Sequence, residues 1–231
     1  MADNDPVCKP PKKGYRSANL GIGGTMVTLT IDDCHVSLPM DYLTSVSNYF
    51  EKAFTGQFLE AKEKFLELDE AVVTKEIFAI FVEWVNGRKL LNGEGKAYDG
   101  DEDSKRNTSR HTELVKIYIF SDAYDIPQFR RDVLDTFLTY AAEHPEVPGT
   151  QTINTAYDQL PPNSPMLRAL VDITAGNWSE HEADVEYDGC GLPPTFLYSV
   201  INEFYSRAQD NTPRWLTEHR LCDYHEHDGE T

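Results

Sequence analysis

The sequence has 231 residues, enough for one well-packed core or for a main domain with an appendage. Hydrophobic residues make up 40% of it and aromatic residues 11%, which indicates a chain that folds. Asp and Glu total 39 against 21 Lys and Arg, so the formal net charge is -18, and such a surface repels phosphate backbones and anionic lipid. We therefore expect no direct nucleic-acid binding and no membrane docking.

Cysteine spacing and the apolar segments bear on the cellular compartment. The four cysteines are scattered without CxxC spacing, which favours reduced thiols over a disulfide framework. The N-terminal residues carry Asp, Lys and Pro throughout and lack the apolar segment of a secretion signal. The most apolar stretch, from Ile77 to Val85, is too short to span a bilayer. These features predict a cytoplasmic and/or nuclear protein.

The chain opens with a tail and a hairpin. Residues 1–24 are rich in Pro, Gly and Lys and predict a flexible N-terminal tail. Apolar and polar residues alternate from Val27 to Ile31, which predicts a strand with one buried face. Asp32-Asp33 supplies a turn, and the alternation that continues to Leu38 predicts the second strand.

A helix, a short strand and a second helix are predicted next. Asp41 is the expected cap of the first helix, and Phe65 to Leu68 is a short third strand. The second helix is strongly apolar and ends at Asn86-Gly87. The apolar positions are Leu43, Val46, Phe50 and Phe54 in the first helix, and Ile77, Ile80, Phe81, Trp84 and Val85 in the second.

Residues 91–111 interrupt this order, because they lack periodicity and are rich in Gly, Asp, Ser and Lys. We expect a mobile insertion there. Helical periodicity resumes at Leu114, and Asp125-Ile126-Pro127 separates that helix from the next, since Pro suits a first helical position. The next helix is predicted to end at His144-Pro145.

An acidic, mainly helical extension is predicted over residues 150–231, after a domain boundary at Pro148-Gly149. Its helices are expected to begin at Ser164-Pro165 and Pro193-Pro194. The second of them carries two adjoining apolar stripes, and so broad a face predicts that it docks back onto the main domain. The stripes are Phe196, Val200 and Phe204, and Leu197, Ile201 and Tyr205. Together the elements predict an α+β fold.

No catalytic constellation is evident in the sequence. The glycine cluster Gly21 to Gly24 precedes a strand rather than a helix, so a hinge is favoured over a phosphate cradle. Carboxylates are spread through solvated segments and predict no acid/base pair. We therefore expect a protein that is not an enzyme and binds no cofactor.

Histidines and a cysteine near the C-terminal end form the best metal candidate. Cys222, His225 and His227, with His219 upstream, combine thiolate and imidazole groups that suit zinc. They crowd into a terminal segment, where order is usually poor. A polar tail without metal is therefore favoured over a zinc site.

The order of these elements resembles the BTB/POZ fold. A hairpin leads to a helix that ends in Ser47-Asn48-Tyr49-Phe50, and a loop with Phe58-Leu59-Glu60 follows. An aromatic residue, Trp84, lies near the end of the apolar helix, and Ala123-Tyr124-Asp125-Ile126 loosely matches the family's next helical pair. The similarity covers residues 25–145 apart from the insertion. The remainder resembles the tail common in filamentous-fungal BTB proteins.

This resemblance implies a protein-interaction module, an adaptor that forms a homodimer and recruits protein partners to a cullin-type ubiquitin ligase. It implies that Phe58 and Glu60 contact the cullin scaffold, although Phe58 could instead be a core residue. Met26 and Val46 would lie at the dimer interface, where the repressors of the family carry a charged pair. The alternative is a structural or transcription-related dimerisation protein without a ligase link. Metal-dependent hydrolysis at the tail is a third possibility.

Overall fold

The computed structural model describes residues 24–87, 89–90, 104–178, 191–210 and 221–226, with the backbone alone at 104–109 and 209–210. These residues form an α+β fold, as the sequence predicts, with one small sheet and nine α-helices in the described ranges. The strands are β1 (Met26–Ile31), β2 (Cys34–Pro39) and β3 (Phe65–Glu67). The helices are α1 (Met40–Val46), α2 (Asn48–Thr55), α3 (Leu59–Glu63), α4 (Lys75–Gly87), α5 (Ser104–Ala123), α6 (Pro127–Glu143), α7 (Thr150–Gln159), α8 (Pro165–Asn177) and α9 (Pro194–Asp210), and a 3₁₀ turn, the C-terminal turn, spans Leu221–Tyr224.

The sheet confirms the predicted hairpin and third strand. β1 and β2 are antiparallel, with Val27 opposite Leu38 and Ile31 opposite Cys34, and Asp32 takes a positive φ of 51° in the turn between them. β3 pairs in parallel with the other side of β1, so the strand order is β2-β1-β3. Val27, Leu29 and Ile31 of β1 are buried, because the helices cover that face.

The predicted first helix is in fact two helices. Ser47 has an extended backbone and ends α1, while its side-chain oxygen accepts a hydrogen bond from the N–H of Phe50 at 3.0 Å and so caps α2. The same hydroxyl donates to the carbonyl of Tyr124 at 2.7 Å. The expected cap, Asp41, is instead a first-turn residue of α1, because α1 begins directly after Pro39.

Aromatic rings from α4, α5 and α6 fill the centre of the core. Phe81 packs edge-on against Phe120 with ring centroids 5.2 Å apart, and Trp84 packs against Phe129 at 4.6 Å. The indole N–H of Trp84 donates to the Asp132 carboxylate at 2.8 Å, so the ring is buried with its polar group satisfied. These contacts fix α4, α5 and α6 against one another.

The predicted insertion is shorter than expected. α5 begins at Ser104 and already includes residues 104–111, and the side chain of His111 is fully buried. The other part of the insertion, residues 91–103, lies outside the described residues, as does the predicted tail up to residue 23. The break before α6 is confirmed, since Asp125 has a positive φ of 46° and Pro127 is the first residue of that helix.

The helical extension shares the core of the preceding residues. α7, which the sequence analysis did not identify, packs on α5, and α8 packs on both α6 and α7. One continuous cluster of buried apolar residues runs from Val27 to Tyr224. The boundary at Pro148-Gly149 stays a prediction, with buried contacts on both sides of it.

α9 is docked, but on the other helices of the extension and not on the main domain, where the sequence analysis expected it, and fewer of its residues are buried than expected. It packs against α8, and the rings of Tyr157 and Phe196 meet edge-on at 5.6 Å. Phe196 and Val200 are buried, whereas Phe204 and the whole second stripe are exposed. The expectation of two buried stripes was therefore wrong. None of the helices within the described ranges is long and apolar enough to cross a membrane.

Candidate functional site

The segment between α2 and α3 holds the predicted scaffold-binding residues, and we call residues 56–60 the Phe58 segment. α2 ends at Gly56, whose N–H donates to the carbonyl of Lys52 at 3.0 Å. Phe58 has an extended backbone and immediately precedes α3, of which Leu59 and Glu60 are the first residues. Phe58 and Glu60 therefore lie together at the start of a short helix.

The side chain of Phe58 points into solvent. Phe58 and Leu59 are each 62% exposed, and Glu60 is half-buried beside them. The alternative that Phe58 is a core residue was therefore wrong. Two adjacent large apolar side chains that are mostly exposed are a typical feature of a protein-binding surface.

Close packing fixes the backbone on both sides of this segment. A Cβ atom added at Gly56 would lie 2.4 Å from the carbonyl oxygen of Lys52 and 3.1 Å from the ring of Phe58, so only glycine fits. After α3, Lys64 takes a positive φ of 55°, and its ammonium group donates to the carbonyl of Phe54 at 3.2 Å. The carbonyl of Lys64 accepts from the N–H of Thr28 at 2.9 Å. The segment is thus tied to α2 and to the sheet.

The residues expected at a dimer interface are not together on the surface. Met26, at the start of β1, is 51% exposed and is available to a partner. Val46, at the end of α1, is completely buried in the core. The expectation for Val46 therefore needs correction, because its side chain is packed inside the core, where no partner can reach it.

The metal candidates are engaged in other interactions where the structure describes them. The Nε2 atom of His225 lies 2.6 Å from a carboxylate oxygen of Asp135, and Cys222 is half-buried. His219 and His227 lie outside the described residues. In the described part of the chain, no group of three or more His, Cys, Asp or Glu side chains could hold a metal ion.

The C-terminal turn instead joins α6 to α8. The hydroxyl of Tyr224 donates to the buried carboxylate of Asp172 at 2.8 Å, and the guanidinium of Arg168 lies 4.8 Å from the centroid of the Tyr224 ring. Burial raises the pKa of the Tyr224 hydroxyl, and the Asp172 carboxylate adds to that rise. Glu226 pairs with Arg130 of α6, which also pairs with Asp122 at 2.6 Å.

A cleft of about 710 Å³ lies between α9, α8 and the turn that precedes α8. Its lining is polar and contains no histidine or cysteine. The hydroxyl of Ser199 donates to a carbonyl of its own helix, and Glu203 pairs with Arg207 at 2.6 Å. The cleft therefore offers hydrogen bonds rather than a nucleophile activated by a base.

Two features of the surface were not identified from the sequence. One is the close approach of the Phe58 ring to Gly56, which leaves no signal in the sequence because it depends on how α2 ends. The other is that Tyr198 lies on the exposed side of α9 beside Ile201. Residues three apart in a helix are neighbours on its surface, so the sequence spacing could have shown this placement.

Comparison of the chain with models of known protein families gives no match, and its sequence matches none of the curated proteins. A functional proposal therefore rests on the resemblance seen in the sequence and on the geometry described above.

Proposed function

We propose that this chain is a non-catalytic adaptor of the BTB/POZ type that binds a cullin-type scaffold through the Phe58 segment. The observation that carries the proposal is the exposure of Phe58 on a backbone fixed by Gly56 and Lys64. A rigid aromatic anchor loses little conformational freedom on binding, which is why such residues dominate the affinity of many interfaces.

The available surface of Phe58 is large enough for an anchor. If a whole aromatic side chain is about 200 Å², the 62% exposed corresponds to about 120 Å², and its burial would contribute about 3 kcal/mol. Glu60 lies two residues away, at the edge of the same surface. Its carboxylate, together with the net charge of -18, favours a partner with a basic rim around an apolar pocket.

A second candidate function is self-association without a ligase link, as in a structural or transcription-related dimerisation protein. The exposure of Met26 at the start of β1 favours it, because β1 belongs to the hairpin through which the family dimerises. A scaffold-binding measurement separates the two candidates.

The test is the affinity of the full chain for the N-terminal region of a cullin from the same organism, measured by isothermal titration calorimetry. We expect binding with a Kd in the micromolar range or tighter. Phe58→Ala should weaken it by at least about tenfold, or about 1.4 kcal/mol. The melting temperature should not change, since Phe58 lies outside the core.

Leu59→Ala is the matched control. Leu59 is as exposed as Phe58, but it lies between the two residues, Phe58 and Glu60, that the resemblance implies as contacts. We expect a loss of affinity below about threefold for this control. Equal losses for the two variants would indicate a generally adhesive patch and would contradict the anchor. If the wild-type chain does not bind, self-association becomes the leading function.

A further inference from the structure

The α9 helix has three distinct sides. Phe196 and Val200 face α8 and are buried, while Ser199, Asn202 and Ser206 line the polar cleft. The third side is apolar and open, and we call it the α9 face. It consists of Leu197 (41% exposed), Tyr198 (68%), Ile201 (64%), Phe204 (40%) and Tyr205 (67%).

The α9 face is large for an unpartnered surface. Taking about 200 Å² for a whole large apolar side chain, the exposed fractions correspond to about 550 Å². The largest apolar patch of a typical soluble monomer is about 300–600 Å² and is often functional. The α9 face therefore lies at the upper end of that range.

The residues of the α9 face are arranged symmetrically about Ile201. Leu197 and Tyr198 lie four and three residues before Ile201, and Phe204 and Tyr205 lie three and four residues after it. If a second α9 lies antiparallel across a two-fold axis at Ile201, each flank of the face meets the same flank of the second copy, so Tyr198 faces Tyr205 of the second copy and Leu197 faces its Phe204. A two-fold interface requires such a self-complementary patch, whereas an unrelated partner would not.

Charge does not oppose this pairing at the contact itself. The charged side chains described on α9 are Glu203 and Arg207, which pair with each other at 2.6 Å on the sides of the helix away from the α9 face. The repulsion between two chains of net charge -18 therefore comes from the surrounding surface, and dissolved salt screens it.

We propose that the α9 face is a homodimerisation surface, occupied by the same face of a second copy in antiparallel orientation about Ile201. Two such faces bury about 1,100 Å², slightly below the usual 1,200–2,000 Å² of stable interfaces. The dimer therefore dissociates at low concentration. It forms independently of the Phe58 segment and of Met26.

Sedimentation equilibrium of the full chain tests the proposal. Between about 1 and 200 µM the mass should rise from its low-concentration value to twice that value, with a Kd in the micromolar range. Raising NaCl from about 50 to 500 mM should strengthen association severalfold. Ile201→Glu places two carboxylates at the two-fold axis and should weaken association at least about tenfold.

Asn202→Glu is the matched control, because it adds the same charge at the adjacent exposed residue on the cleft side of α9. It should associate as the wild type does. A charge pair then tests the register. Tyr198→Lys should weaken association, and the double variant Tyr198→Lys/Tyr205→Glu should restore it, because each lysine then faces a glutamate of the other copy at the two symmetry-related contacts. Parallel pairing would not give this rescue.

Three results would overturn the proposal. The first is that the wild type and Ile201→Glu have the same mass at every concentration. The second is that the double variant associates no better than Tyr198→Lys. The third is a lower melting temperature of Ile201→Glu at about 1 µM, where the wild type is dissociated. That result would mean that another segment of the same chain covers the α9 face.

Discussion

His111 is a buried histidine whose ring nitrogens have no hydrogen-bond partner among the described residues. Its ring packs edge-on between Phe137 and Tyr140, with centroids 5.3 and 5.2 Å apart. Burial lowers the pKa of His111 to about 4, and the nearby charge of His144 contributes. The folded chain therefore holds this side chain neutral at pH values where the unfolded chain protonates it.

Stability should fall as the pH is lowered through this window. The unfolded chain protonates His111 below about pH 6.5, whereas the folded chain protonates it only near pH 4. Between these pH values the free energy of unfolding therefore falls by nearly 1.4 kcal/mol per pH unit. His111→Phe keeps an aromatic ring and removes the titrating group. Between pH 7 and 5 the wild type should lose about 2 kcal/mol more than this variant in urea denaturation.

A comparison at higher pH is the control for this prediction. Between pH 8 and 9 His111 is neutral in both the folded and the unfolded chain, so the wild type and His111→Phe should change equally in stability. Equal pH dependence of the wild type and His111→Phe between pH 7 and 5 would show that His111 does not set the loss of stability.

At the scale of the element, α9 offers the same substitution in two environments. Phe196 is 1% exposed and Phe204 is 40% exposed. Phe196→Ala should lower the free energy of unfolding by about 3–5 kcal/mol, the usual cost of removing a buried phenylalanine. Phe204→Ala should lower it by less than about 1 kcal/mol. Urea denaturation at low protein concentration measures both, and a larger loss for Phe204→Ala would contradict the observed docking of α9.

The sequence predicted those elements whose signals are local. The alternation in β1 and β2 and the proline at the first residue of α6, α8 and α9 marked these elements correctly. α7 was missed because its sequence is mostly polar, with Ile153 and Ala156 as its buried apolar residues. The first half of α5 resembled a loop because apolar periodicity begins at Leu114.

The candidate residues Phe58 and Glu60 could be chosen from their order relative to the helices, but their exposure could not. Val46 already belonged to the apolar positions of the predicted first helix, so its burial is consistent with the sequence pattern. The break of that helix at Ser47 was not predicted, and Ser47 makes a hydrogen bond to the carbonyl of Tyr124, 77 residues away. A contact so distant in sequence leaves no periodic signal, whereas helix caps and turns do.

At the scale of the whole molecule, the C-terminal turn links helices on either side of the predicted domain boundary. Asp135 and Arg130 belong to α6, while Asp172 and Arg168 belong to α8. The turn contacts the two residues of α8, and the two residues that follow the turn contact those of α6. Because the apolar core is also continuous across this boundary, the two parts should unfold together.

Tyr224→Phe tests that link. It removes the O–H donor to the buried Asp172 carboxylate while keeping the ring under Arg168, so we expect a loss of about 1.5–3 kcal/mol. Tyr205→Phe is the control, because the Tyr205 side chain is mostly exposed and should lose less than about 0.5 kcal/mol. Chemical denaturation followed by circular dichroism measures both, and a second transition in Tyr224→Phe would show that the two parts fold separately.

The small size of the sheet affects how the protein resists aggregation. An unpaired strand edge exposes a row of N–H and C=O groups that can template pairing with another chain. Within the described residues, β3 presents an edge of three residues, and β2 has six residues and ends at Pro39, which has no N–H to donate. Strand-to-strand addition between chains therefore finds little template here, and the helices provide most of the surface through which molecules of this protein can meet.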